Sequence, residues 1–453
     1  MSLTGTLARY ALSLDAIALP EAVRIEAGRS LLNWAGCAVG GSRHPAIDAA
    51  VAALLPFVAS RECPLLGRSE RTDALHAALI NGMSAHVLDF DDTHLRTLMH
   101  PSVPVASSLM ALAARLPMTG EQFLVAFVAG VEVECRIANA IWFAHNSDWY
   151  ITGTAGVFGA AAACARVLGL AEGQATHALG LAAAQAAGTR EMAGTMAKCF
   201  IHGRAAQNGL LAALLAQRGF TAAATALEGE RGFARVLASK RDMDAITAGL
   251  GSHWELLQNS YKPYACGVVA HPVIDACLRL RRAHHPDPAS ILRLDLQVSA
   301  RALELTGIAA PPDGLKSKWS LYHSAAVALV DGAAGEHQYT DERVNDPLVR
   351  ALRGRVVANA DSALSEIEAR AVLTMTDGST HAVHVEAVVG SAANPMSDAD
   401  LADKVRGLAL GILPEAQVDA LITACRGFDA LTDVSAIARA GSVSAAAQHE
   451  VAH

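Results

Sequence analysis

The chain has 453 residues, of which 52% are hydrophobic and 18% charged, and its net charge is −8. This composition excludes a disordered polyelectrolyte, because enough apolar side chain is present to offset the entropy lost when the chain orders. The excess of acidic over basic residues provides no positive field for a phosphate backbone, so we expect no nucleic-acid partner. The length exceeds what one hydrophobic core usually supports and predicts two domains.

The N-terminal segment lacks the basic start and apolar run of a signal peptide, and no window reaches the ~18 uninterrupted apolar residues of a membrane span. We therefore expect a cytoplasmic protein without a membrane partner. Eight cysteines are scattered along the chain without a C-x-x-C pair. This spacing predicts reduced, buried thiols rather than disulfides or a thiolate metal site.

The first half of the chain is typical of successive Ala-rich helices. A helix is predicted from Pro20 to Trp34, ending at the cluster Gly36, Gly40 and Gly41, where glycine lets the backbone leave helical geometry. Helices this dense, joined by short loops, predict an antiparallel bundle. Thr119 and Gln122 have the spacing of a capping box. Further helices are predicted at Thr72–His86, Ser102–Arg115, Gly120–Ala140, Gly156–Leu168, Gly173–Ala187 and Gly203–Arg218.

The pattern changes after about residue 285, where His284–Pro288 cannot continue a helix. Ile291–Val298 alternates apolar and polar residues from Leu292 onward, which predicts a strand. This half is predicted to be an α+β insertion that ends where Ser397 and Asp400 cap a return to helices running to the C-terminus. The other elements predicted here are a buried helix at Ser320–Gly332 and two strands, Glu366–Thr376 and His381–Val389, joined by a tight turn at Asp377-Gly378.

Three clusters of ionisable residues interrupt the apolar helices. The densest, residues 86–102, contains three Asp and three His, and the others surround Lys198 and Lys262. A solvated loop with helix caps would also explain the first cluster, but its interleaved apolar residues would draw it toward a core, which favours a functional site. His and Asp also bind metals; we expect no metal, since no second dense group stands elsewhere to complete a cage.

Together, these clusters predict a site for small polyanions. Removing a proton α to a carboxylate adds negative charge to a group that is already anionic, so cations and donors must stand beside it. Lys198 and Lys262 would supply the cations, and a His, with an ordinary pKa near ~6.5, would move the proton. Motifs for dinucleotides, nucleoside triphosphates and nucleophile elbows are absent, and we expect no cofactor.

Five motifs, in this order along most of the chain, carry a resemblance to the MmgE/PrpD family. That family includes 2-methylcitrate dehydratase, cis-aconitate decarboxylase and iminodisuccinate epimerase. The motifs are Leu88-Asp-Phe-Asp-Asp-Thr93 with His100-Pro-Ser102, Gly194-Thr-Met-Ala-Lys198, Gly203-Arg-Ala-Ala-Gln-Asn-Gly209, Arg218-Gly-Phe-Thr221 with Glu228-Gly229, and Lys262-Pro-Tyr264 with His271-Pro272.

The resemblance implies a mainly α fold with a large all-helical domain built from both chain ends, residues 1–264 and 399–453. A smaller α+β domain, residues 265–398, would be inserted between them. It also implies a homodimer and an active site between the two domains, without metal or organic cofactor.

Matched motif by motif, Asp89, Thr93 and His100 correspond to the family's first active-site loop, and Lys198 and Lys262 to its substrate-facing lysines. Two positions depart from the family pattern. Tyr150 stands where many members have His, and Ile201 stands where a His often follows the first lysine. A Tyr keeps a hydrogen-bonding hydroxyl but, with a pKa near ~10, exchanges protons poorly at neutral pH.

The sequence therefore predicts a metal-independent lyase that acts on a small di- or tricarboxylate, most like 2-methylcitrate dehydratase. An epimerase or decarboxylase on the same scaffold, or a non-catalytic carboxylate-binding protein, is the alternative. His100 is predicted to be the acid/base, oriented by Asp89, while Thr93 would bond the substrate. Tyr150 is predicted to donate to the leaving group or the developing oxyanion, and the two lysines to pair with carboxylates.

Overall fold

The structure, a computed structural model, describes residues 2–145 and 148–443. Helices dominate it, and a small mixed sheet lies in the second half of the chain. Within the described ranges, none of the helices has both the length and the apolar character needed to cross a bilayer. The C-terminal end of the last predicted helical stretch, residues 444–453, lies outside the described residues.

The first part of the chain forms a helical body. Its helices are α1 (Leu3–Ser13), α2 (Glu21–Gly41), α3 (Pro45–Leu54), α4 (Ala74–Val87), α5 (Ser102–Ala113), α6 (Gly120–His145), α7 (Ile151–Val167), α8 (Glu172–Ala183), α9 (Ala197–Gln217) and α10 (Phe233–Leu237). Its short strands pair as β1 (Cys63–Pro64) with β2 (Arg71–Thr72) and β3 (Thr93–His94) with β4 (Asn259–Ser260).

The second part contains the sheet and then returns to helices. Its elements are α11 (His271–His284), β5 (Ile291–Val298), α12 (Ala300–Thr306), α13 (Gly314–Ser317), α14 (Leu321–Asp331), α15 (Asp341–Asn345), α16 (Pro347–Arg353), β6 (Val356–Ala360), β7 (Ala369–Met375), β8 (Thr380–Val385), α17 (Asp398–Ala409), α18 (Glu415–Arg426) and α19 (Ser435–Ala440). Because α17 and α18 pack against α2, residues 398–426 join the helical body. The domain boundaries at residues 264 and 398 stay a prediction.

The predicted end of the helix that starts at Pro20 is wrong. α2 runs through the glycine cluster to Gly41, and these glycines allow a close approach of α17. A Cβ on Gly36 would lie 2.6 Å from a methyl carbon of Val405, and one on Gly40 would lie 2.9 Å from a methyl carbon of Leu408. The glycines serve packing here and do not terminate the helix.

Two other helices begin earlier than predicted, because the glycines expected to start them lie inside the helices. α7 starts at Ile151 instead of Gly156, and α9 starts at Ala197 instead of Gly203. Gly203 lies inside α9, where its backbone meets Gly82 of α4: a Cβ built on Gly82 would be 2.9 Å from the Gly203 Cα. Lys198 therefore lies in the first turn of α9 and close to α4.

The sheet has the strand order β6-β5-β7-β8. β5 pairs in parallel with β6 and antiparallel with β7, and the β7–β8 hairpin turns at Gly378 with a φ of 86°, as predicted. Leu292 is 56% exposed, although the alternation predicted it on the buried face. A register shift between Ile291 and Arg293 causes this difference, since a bulge turns one residue outward.

The predicted helix caps and the predicted free, buried cysteines are confirmed. Thr119 and Gln122 exchange hydrogen bonds as a capping box, and Ser397 caps α17 with Asp400. All eight cysteines are free and buried.

Candidate active site

The site begins in the loop that joins α4 to α5. Asp89 and Leu98 in this loop have φ values of 54° and 53°, a left-handed conformation that costs a residue with a side chain about 1–3 kcal/mol unless its surroundings hold it. β3 of this loop pairs with β4, two residues before Lys262. The Lys404 ammonium also donates to the main-chain oxygens of Phe90 and Lys262, at 2.6 and 2.8 Å. The loop and the Lys262 segment are thereby held together.

The carboxylate of Asp89 bridges the two predicted lysines. Its oxygens lie 2.8 Å from the Lys198 Nζ and 2.5 Å from the Lys262 Nζ, and all three side chains are buried. Burial alone would raise the pKa of Asp89, but the two ammonium groups outweigh it and hold that pKa well below its ordinary value. Burial lowers the pKa of Lys198, whereas the Asp89 charge overcomes burial and raises the pKa of Lys262.

His100 is not oriented by Asp89, which corrects the sequence expectation. The His100 Nδ1 lies 2.8 Å from the main-chain oxygen of Asp92 and 3.3 Å from a carboxylate oxygen of Asp91. Asp89 is unsuited to this role because both of its oxygens face ammonium groups. Since a carbonyl oxygen only accepts, Nδ1 carries the hydrogen and Nε2 is the basic nitrogen. Burial lowers the pKa of His100 well below its ordinary value, so the free ring is neutral.

Asp91 also accepts from a second histidine. The His86 Nδ1 lies 2.8 Å from the same Asp91 oxygen, and the His86 ring stacks on His202 with 3.3 Å between centroids and 13° between planes. Burial lowers the pKa of both rings well below the ordinary value. His202 comes from the second turn of α9, so this stack depends on the close crossing of α4 and α9.

The buried trio His86, His100 and His202 has nitrogen atoms close enough to suggest a metal site. The geometry does not fit one, because a metal lies in the plane of each imidazole that binds it, and two stacked, nearly parallel planes do not meet at one ion. A second possible group includes Asp89, whose carboxylate is already paired with two cations. Neither group therefore has the geometry of a metal site.

A cavity of about 40 Å³ lies beside this cluster. One part of its wall is polar and the other apolar, the apolar part including segments of the sheet-containing half of the chain. The polar wall is Asp89, Thr93, His100, Tyr150, Arg190 and Lys262, and the apolar wall is Leu98, Ile151, Gly267, Val268, Val269, Leu305 and Trp319.

Five of the six predicted site residues line this cavity, and the sixth lies beside it. Lys198 lines an adjoining cavity of about 20 Å³, and Asp89 and Trp319 form a wall of both. The Lys198 ammonium is 4.8 Å from the centroid of the Trp319 ring. The predicted roles of these residues stay predictions, while their convergence is an observation.

Sequence reasoning missed Arg190 and Trp319. Both lie near predicted features, Arg190 before the Gly194 motif and Trp319 before a predicted helix. A lone Arg or Trp in a loop carries no motif, so only the fold brings them to the cavity. Two further carboxylates of the same loop have partners within the protein: Asp91 faces the histidines, and Asp92 accepts hydrogen bonds from the side chains of Ser102 and Asn259.

The fold and geometry define a class of mainly helical proteins with a small mixed sheet and a buried cluster of Lys, Asp and His side chains beside a cavity. The MmgE/PrpD N-terminal domain matches residues 5–246, and the MmgE/PrpD C-terminal domain matches residues 264–427. The chain belongs to the MmgE/PrpD family.

Three curated relatives share most of the chain. It is 27% identical to a cis-aconitate decarboxylase of Aspergillus terreus over 95% of this chain and 94% of that protein. It is 29% identical to the cis-aconitate decarboxylase of Mus musculus, over 82% of this chain and 78% of the relative. It is 27% identical to the cis-aconitate decarboxylase of Homo sapiens, over 81% of this chain and 79% of that relative.

Proposed function

We propose that the protein is a lyase that acts on a small di- or tricarboxylate by proton transfer next to a carboxylate, without a metal. The observation that carries this proposal is the neutral His100 on the wall of the same buried cavity as Lys262 and the Asp89 carboxylate. Membership in a family whose relatives here are named cis-aconitate decarboxylases supports it.

Each wall group has a chemical role in this proposal. Lys262 and, across Asp89, Lys198 attract the carboxylates of the substrate. The Nε2 of His100 takes or gives the proton at carbon, and a bound polyanion would raise the pKa of His100 enough for it to do both. Thr93 and Tyr150 add hydroxyl donors on the same wall.

Decarboxylation is the first reaction to test. The bond between the α carbon and one carboxylate breaks, CO₂ leaves, the electron pair stays on the carbon framework, and protonated His100 delivers the proton. The apolar wall favours this step, since a carboxylate placed against Val268, Val269 or Leu305 loses hydration that neutral CO₂ does not need.

Dehydration, which the sequence favoured, is the second candidate. Here neutral His100 would remove the proton, and the hydroxyls of Thr93 and Tyr150 would assist the departing water. The same groups would serve an epimerase, which returns the proton to the other face.

The test is to incubate the purified protein with cis-aconitate and with 2-methylcitrate while following CO₂ release and ultraviolet absorbance. We expect His100→Gln to lower kcat/KM by about 10²-fold or more. His76→Gln is the matched control, because His76 also pairs with an Asp, at 2.7 Å, but lies outside the cavity. Equal activity of the two variants would overturn the assignment of His100, and activity abolished by EDTA would overturn the metal-free mechanism.

A further inference from the structure

We propose that Arg190 and Tyr150 form a carboxylate-binding subsite that makes the protein selective for tricarboxylates over dicarboxylates. This inference rests on the proposed function, because it names the substrate class that the same cavity would favour. Neither the motifs nor the relatives assign a role to Arg190.

The backbone places these two side chains next to each other on the cavity wall. The segment before α7 pairs with the segment after α8: the Tyr150 N–H donates to the Gly188 oxygen at 2.8 Å, and the Arg190 N–H donates to the Asp148 oxygen at 3.0 Å. Gly188 has a φ of 122°, and a Cβ there would lie 2.6 Å from a methyl carbon of Ile201. This turn therefore requires glycine at position 188, and it sets the backbone position of Arg190 two residues later.

The subsite contains two kinds of donor. The Tyr150 hydroxyl is buried and has no hydrogen-bond partner among the described residues, although a buried hydroxyl without a partner is costly. Burial raises the pKa of Tyr150, so the hydroxyl keeps its hydrogen and can donate. The Arg190 guanidinium carbon lies over the Tyr150 ring, 5.5 Å from its centroid, so the two side chains are in contact on the cavity wall.

The charges on the cavity wall explain why a further cation matters. Lys198 and Lys262 both pair with the carboxylate of Asp89, and the nearby Asp91 carboxylate also acts on both lysines, so the lysines leave little net positive charge for the substrate. Arg190 stays charged at neutral pH even though burial lowers its pKa. A guanidinium binds a carboxylate with two parallel hydrogen bonds, which an ammonium cannot do.

The experiment measures binding by calorimetry with three unreactive probes: propane-1,2,3-tricarboxylate, glutarate and methylsuccinate. We expect Arg190→Gln to weaken tricarboxylate binding about tenfold or more, and binding of each dicarboxylate by less than about twofold. Arg190→Lys should lose about threefold, because the charge stays and the paired bonds go. Tyr150→Phe should weaken tricarboxylate binding to a similar extent, since one donor is lost.

Arg279→Gln is the matched control, because Arg279 also carries a guanidinium, pairs with Asp275 at 2.9 Å and does not line the cavity. Equal losses in Arg190→Gln and Arg279→Gln, or equal losses for tri- and dicarboxylates, would overturn the subsite. If Arg190→Gln does not fold by circular dichroism, Arg190→Lys and Tyr150→Phe decide, and unchanged tricarboxylate binding in both would overturn it.

The outcomes separate this inference from the proposed function. A wild-type protein that binds the tricarboxylate through Arg190 but turns over neither cis-aconitate nor 2-methylcitrate would support the subsite and overturn the lyase. Normal wild-type turnover of either substrate, together with unchanged tricarboxylate binding in Arg190→Gln, would support the lyase and overturn the subsite. A wild-type protein that binds none of the three probes would overturn the subsite.

Discussion

The carboxylate of Asp89 controls how the two lysines can act. Left alone, two buried ammonium groups would repel each other and lose their charge, and the shared carboxylate keeps both near the cavity. The left-handed backbone of Asp89 turns this carboxylate between them. The local strain is consistent with a functional position, because the surroundings must hold it in place.

Replacing Asp89 tests this arrangement through stability. We expect Asp89→Asn to lower the free energy of unfolding by about 3–5 kcal/mol, because two buried cations lose their counter-charge. The measurement is urea denaturation at neutral pH. Asp403→Asn is the control, since Asp403 pairs with Arg406 on the surface and should matter by less than about 0.5 kcal/mol. A similar small change for both variants would show that the lysines do not depend on Asp89.

Asp92 gives a pH-dependent prediction. Burial raises the pKa of Asp92 to about 7, against hydrogen bonds from Ser102 and Asn259 that lower it. A raised pKa means that the folded protein binds this proton more tightly than the unfolded chain, so the contribution is present at low pH and is lost as pH rises from about 4 to 7. We therefore compare the free energies of unfolding of the wild type and of Asp92→Asn. The value for the wild type less the value for the variant should be about 1–3 kcal/mol larger at pH 5 than at pH 8.

The difference between the two proteins removes the opposite effect of the buried histidines, which both contain. Because burial lowers the pKa of His86, His100 and His202, those rings favour unfolding as the pH falls below about 6.5. A difference that is flat, or that grows toward pH 8, would contradict a raised pKa for Asp92.

Residue identities at the site were largely predictable, and their partners were not. The motif positions predicted that His100, Lys262 and Tyr150 belong to one site, and these residues line one cavity. The choice between Asp89 and Asp91 as the partner of His100 depends on which way each carboxylate turns. Only the left-handed backbone of Asp89 settles that, and sequence spacing does not report it.

At the scale of elements, the crossing of α4 and α9 assembles the histidine stack. His86 lies at the end of α4 and His202 on α9, and Gly82 and Gly203 let the two backbones approach. Small residues at such a crossing replace side-chain packing by close backbone contact. The site therefore depends on a glycine that touches none of the reacting groups.

A glycine substitution tests this dependence. A Cβ on Gly203 would lie 2.3 Å from the main-chain oxygen of Leu79, so Gly203→Ala should destabilise the protein by about 1–3 kcal/mol and lower activity by separating the rings. Gly407→Ala is the control, because nothing lies within 4 Å of its Cβ position and alanine favours the helix. The readouts are the thermal midpoint and kcat. Equal effects of the two changes would mean that the crossing tolerates a methyl group.

Element type was predictable from periodicity, while boundaries at glycines were not. Helix ends were predicted at Gly36, Gly156 and Gly203. Each of these glycines lies inside a helix and allows a neighbouring segment to approach closely. β6 was missed because Val356–Ala360 shows no alternation of apolar and polar residues. Its place beside β5 depends on long-range pairing.

At the scale of the whole molecule, hydrogen bonds near the cavity hold the two parts of the chain together. The Lys318 ammonium donates to the main-chain oxygen of Leu88 at 2.7 Å, and the Lys316 ammonium to that of Ala193 at 3.0 Å. A volume of about 40 Å³ has room for a few water molecules at ~10–15 Å³ each, less than a tricarboxylic acid needs. We expect binding to enlarge the cavity and to move Trp319, which lines both this cavity and the one beside Lys198.

Tryptophan fluorescence reports this movement. We expect propane-1,2,3-tricarboxylate to change the emission of the wild-type protein, because Trp319 leaves its contact with the Lys198 ammonium. Trp319→Phe should lose most of that change, whereas Trp254→Phe, which removes a buried Trp outside the cavity, should keep it. An unaltered response in Trp319→Phe would show that the ligand enters without moving this residue.

A crystal structure with bound citrate tests the central claim most directly. The predicted result is a citrate whose carboxylates lie within hydrogen-bonding distance of Lys262 and Arg190, with the Nε2 of His100 facing a carbon next to a carboxylate. Citrate bound instead in the surface groove beside Glu121 and Arg166, with the Asp89 cavity closed and unchanged, would contradict it.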